Sequence, residues 1–63
     1  MTFVMSFMID GMDRTSVFER ENKITAISAV EAAWQLAAEF GSHRFPQPYK
    51  LVMNNKIIWE RKK

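Results

Sequence analysis

The residues able to do chemistry are few, and their spacing assembles no familiar site. His43 is the single histidine, and there is no cysteine. A metal site built on one imidazole would need oxygen ligands from distant parts of the chain. No serine–histidine–carboxylate order can be read around it either. Beside Arg44, in a loop, His43 reads as a surface residue. Asp10 and Asp13 flank a turn, where paired carboxylates serve turn geometry more often than proton transfer. Glu19 and Glu21 are two apart on an extended stretch, so they share a face and read as a solvated edge. No glycine-rich phosphate loop is present, since the only glycines are Gly11 and Gly41. These residues predict a protein that is not an enzyme and uses neither a cofactor nor a metal.

Binding chemistry is better represented. Arg44, Phe45 and Tyr49 mix cationic and aromatic groups, as single-strand nucleic-acid binders do. Lys50, Lys56, Arg61, Lys62 and Lys63 would extend that patch. The charge balance argues the other way: nine basic residues stand against seven acidic ones, for a net charge of +2. Without the last three residues, six basic remain against the same seven. No signature of an RNA-binding sheet is present. A protein partner is therefore the leading expectation, and a small nucleic-acid-binding regulator the alternative.

Sixty-three residues make a single domain, residues 1–63. A chain this short buries only about 60% of the surface it exposes when unfolded, so a deep pocket is not expected. Eight aromatics and five methionines are a heavy apolar load for that length. No apolar run approaches the roughly 18 residues of a membrane span. The opening MTFVMSFMIDGMD lacks the basic start and small-residue cleavage site of a secretory signal. The expectation is a cytoplasmic protein with no membrane partner.

The elements that must position these groups follow from pattern. Residues 28–41 (SAVEAAWQLAAEFG) predict a helix of about three turns. Ser28 and Glu31 have the spacing of a capping box, and Gly41 can end the helix. Val30, Ala33, Trp34, Ala37 and Phe40 would share its buried face. Residues 2–9 alternate as a strand, and Asp10-Gly11 is a hairpin turn. Met12-Asp13 would lengthen that loop, and residues 14–22 return as a polar edge strand. Residues 23–27 read as an extended lead-in because Ile24 and Ile27 are β-branched. Two prolines mark residues 42–48 as a stiff loop. Residues 49–53 and 56–60 form a second hairpin about Asn54-Asn55. Simple alternation puts Tyr49, Leu51, Met53, Lys56, Ile58 and Glu60 on one face, and Lys50, Val52, Ile57 and Trp59 on the other.

The expected fold is α+β: ββαββ, an antiparallel sheet with a single helix packed on one face. One helix covers one face, yet the first strand and the second hairpin are apolar on both. The uncovered face is then either a binding surface, for another protein or a second copy, or is closed off by twist and the long loop.

The layout of residues 26–60, with AAEFGS followed by YKLVMNNKIIWE, resembles the helix-to-hairpin half of small phage-encoded inhibitors, the anti-CRISPR proteins of type I systems. The resemblance implies binding to a protein subunit of a CRISPR surveillance complex in the host-cell cytoplasm, without catalysis. Many such inhibitors are acidic mimics of DNA. This chain is mildly basic, so contact through shape and apolar anchors is the version that fits. The expected partner-binding residues are Arg20, His43, Arg44, Phe45, Tyr49, Lys50, Lys56 and Trp59. A dimerising structural module is a further alternative.

Overall fold

The computed structural model describes residues 1–62. Lys63, placed above in the basic tail, lies outside the described residues. The order is β1 (Thr2–Ile9), β2 (Met12–Glu19), α1 (Lys23–Phe40), β3 (Gln47–Met53) and β4 (Lys56–Glu60). The four strands form one antiparallel sheet in the order β2-β1-β3-β4, and the architecture is α+β, ββαββ. No helix among the described residues is long and apolar enough to cross a membrane.

Both hairpins turn where Gly and Asn permit positive φ. Asp10 and Gly11 have φ of 51° and 77°, and Asn54 and Asn55 have 52° and 64°. Two consecutive positive φ values match the right-handed twist of the flanking strands. The first turn is therefore tight. Met12 and Asp13 belong to β2, paired with Ile9 and Met8, and do not lengthen the loop. Pro48 also departs from expectation. It is a fully buried residue of β3, opposite Phe7. It sits beside a register shift, where a missing N–H costs no ladder bond.

The helix starts six residues earlier than the capping-box pattern suggests. Asn22 is the N-cap, and its side-chain oxygen accepts from the Thr25 N–H at 3.0 Å. Residues 23–27 are helical, and α1 has 18 residues, about five turns. Tertiary burial decides this: Ala26 is wholly buried against the sheet, a contact an extended lead-in could not make. Gly41 closes the helix at φ 101°, its N–H donating to the Ala37 carbonyl at 2.8 Å. A Cβ at Gly41 would come within 2.6 Å of the His43 ring. Both the backbone angle and this contact therefore favour glycine.

The core lies between α1 and one sheet face. Phe3, Ala26, Val30 and Leu51 form its buried centre, ringed by Met5, Phe18, Ile27, Met53, Ile58 and Trp59. Phe3 and Phe18 stack across β1 and β2, their centroids 5.7 Å apart. α1 lies chiefly over β3. Ala37 joins the buried face as expected, but Phe40 does not: it is 53% exposed, at the helix end against Phe45.

Because Asn22 is the cap, Asn22→Ala should destabilise the fold by about 1 kcal/mol in denaturant unfolding. Ser28→Ala, in an exposed mid-helix position, should change stability by less than about 0.5 kcal/mol. The reverse order would restore the shorter helix.

Candidate protein-binding surface

Strand alternation and register assign the sheet face away from α1. Val17 of β2, Val4 of β1, Val52 of β3 and Ile57 of β4 are successive cross-strand partners. They form an apolar row across all four strands. Its middle is half-buried, while Val17 is 68% and Ile57 55% exposed. The next row is polar: Thr15, Ser6, Lys50 and Glu60. Among the described residues the single helix lies on the other face, and no second helix covers this one.

Two bulges shape the surface. Between Leu51 and Val52 the partner on β4 jumps from Trp59 to Ile57. This reverses the alternation expected for the end of β4. Trp59 turns to the helix side and Glu60 joins Lys50 on the open side, opposite to the simple register. The second bulge lies where Ser6 pairs with Lys50 but Phe7 pairs with Pro48. Tyr49 is the extra residue. Its hydroxyl donates to the Asp13 carboxylate, so the ring spans β1 to reach β2. With Tyr49 across it, Ser6 is only 7% exposed although no helix covers its side.

At the β2 corner, Thr2 Oγ1 donates to Glu19 Oε1 at 2.8 Å, and the N-terminal amine lies 3.2 Å from Oε2. The hydroxyl bond, then the amine's hydrogen bond and charge, hold the Glu19 carboxyl below its ordinary value of 4.5. At the opposite corner Tyr49, Lys50, Glu60, Arg61 and Lys62 line an open recess of about 570 Å3.

On the helix side of β4 a mixed cluster fastens α1. Trp59 Nε1 donates to Glu31 Oε2 at 3.3 Å. The Arg61 guanidinium sits 4.3 Å from the Trp34 ring centroid and 4.0 Å from Glu31. Cation–π attraction here reinforces apolar packing. Trp34 Nε1 is buried and has no acceptor among the described residues. Glu31 thus serves the helix–sheet contact and not a capping box.

The expected contact residues are not gathered into one patch. Tyr49 and Lys50 share the open face. Trp59 faces α1, and Lys56 flanks the Asn54-Asn55 turn. Arg20 lies past the end of β2, 5.1 Å from the Phe18 centroid, with Nη1 donating to the Glu19 carbonyl at 2.7 Å. His43 and Arg44 are exposed on the loop after α1, and Phe45 packs half-buried on Phe40. The apolar row was only partly visible in sequence. Val4, Val52 and Ile57 belong to the apolar surplus, but Val17 sits in a strand whose other residues, Met12 and Phe18 apart, are polar. Among the described residues, no cluster of His, Asp or Glu could hold a metal ion.

Comparison with protein families, with characterised proteins and with solved structures finds no match.

A depressed Glu19 carboxyl stabilises the fold above its ordinary pKa, and that contribution is lost as pH falls through the lowered folded value. Thr2→Val should move the Glu19 titration, followed by NMR, up toward 4.5. An unmoved titration would assign the shift to the amine alone.

Proposed function

We propose that the protein works by binding another protein through the open sheet face, as a non-catalytic inhibitor of the anti-CRISPR type. The observation that carries this reading is the row Val17, Val4, Val52 and Ile57, whose ends stay exposed on a face the fold has no element to cover. Contiguous apolar surface of this kind is characteristic of interaction sites. Lys50 and Glu60 beside it offer one charge of each sign, suited to fixing orientation at a polar rim. The target is a protein of the host cytoplasm, and the resemblance singles out a subunit of a type I CRISPR surveillance complex.

The second reading, nucleic-acid binding, draws on the recess lined by Tyr49, Lys50 and Lys62, one aromatic ring and two cations, with Arg61 at its wall and its guanidinium turned over Trp34. Glu60 lies among them and opposes phosphate. Salt separates the two: phosphate contacts release counterions and weaken steeply with ionic strength, whereas an apolar interface responds little.

The decisive measurement is inhibition of target-DNA binding by a purified type I surveillance complex. The wild-type chain should inhibit. Val17→Asp and Ile57→Asp should each weaken inhibition by about tenfold or more, because a carboxylate would be desolvated at the contact. Both side chains are exposed, so unfolding midpoints should move little. Retained inhibition by both variants would remove the open face from the function.

A further inference from the structure

The helix leaves a second uncovered strip, on its own side of the sheet. Ala29, Ala33, Leu36 and Phe40 are spaced four, three and four apart and line one flank of α1. That flank overlooks β2. Between them Met5, Ser16, Phe18, Arg20, Ala29, Val30 and Ala33 enclose a recess of about 220 Å3. The two alanines mark the hollow end of the strip. Leu36 and Phe40, 44% and 53% exposed, mark the raised end. Over the roughly 16 Å from Ala29 to Phe40, the strip is small at one end and large at the other.

We infer that this strip is the self-association surface of the protein, closed by a second copy packed antiparallel about a two-fold axis between Ala33 and Leu36. An isologous contact requires that if one residue meets another, the second meets the first in return. An antiparallel pairing that sets Phe40 of one copy over Ala29 of the other necessarily sets Leu36 over Ala33, and the converse. Every large side chain then meets a small one, and each Phe40 points toward the recess by Ala29 and Phe18. Charge follows the same symmetry. Arg20 borders the hollow end, while Glu39 adjoins Phe40 at the raised end. Neither has an ion-pair partner among the described residues. Within one molecule they sit at opposite ends of the strip, and across the two-fold they come together. This surface is separate from the open sheet face, so the dimer would present two open faces to partners.

The full chain should sediment at twice 7.4 kDa at sub-millimolar concentration. Leu36→Glu, at an exposed position, should return it to the monomer with unchanged helical circular dichroism. Arg20→Glu and Glu39→Arg should each weaken association about threefold, and the double swap should recover most of the loss. Only contact between copies predicts that recovery. Val17→Asp, on the other face, should leave the dimer intact. A monomer at every concentration, a dimer indifferent to Leu36→Glu, a dimer broken by Val17→Asp, or swaps whose effects simply add would each overturn the inference.

Discussion

A helix is about 10–12 Å across, side chains included, whereas four strands spaced about 4.8 Å apart span some 14 Å between their outer axes alone. One helix therefore cannot roof even one face of this sheet, and it leaves the other bare. The molecule resolves the shortage by placing α1 over β3 and fastening its far side to β4 through Trp34, Trp59, Glu31 and Arg61. The β2 side of the roof stays open. The strip along α1 follows from that mismatch in width, and the bare sheet face from one helix serving a layer with two faces.

The distribution of side chains agrees with it. Large apolar groups line both faces of the inner pair, β1 and β3, and also of the edge strand β4, where Ile57 is on the open side and Trp59 on the helix side. Polar β2 is an edge. An inner strand has two neighbours over which to bury its groups, while an edge strand meets water along one side. The part of the apolar surplus on β1 and β3 is shielded by neighbouring strands, and Val4 and Val52 are half-buried without any helix above them, whereas Ile57 on β4 stays exposed.

Much of this was legible beforehand. Strand β1 has its expected bounds, and the dipeptides at 10–11 and 54–55 form the turns their positive-φ tolerance suggests. Gly41 ends the helix. The start of the helix was obscured because two segments satisfy local capping rules. Asn22 with Thr25 prevails over Ser28 with Glu31 through the burial of Ala26, which is a tertiary fact. The bulges carried no local mark. No glycine announces them, yet they decide that Trp59 faces inward and that Tyr49 crosses to Asp13. Expected contact residues on β3 and β4 were therefore assigned to sides that pairing alone determines. Phe40 satisfies helical periodicity but lies beyond the reach of the sheet.

Strand order has a further consequence for how the chain comes together. β1 joins β2 through a two-residue turn, but its other edge waits for β3, whose partners come 39 to 48 positions later in the sequence. Local hairpins close in microseconds, and distant pairings must first overcome the entropy of a long loop. During synthesis, the first hairpin and α1 emerge before the strand that completes the layer. Until it arrives, Phe3, Val4 and Met5 sit on a strand with a vacant row of donors and acceptors. The interval between those two events is when this small protein is most open to mispairing with its neighbours.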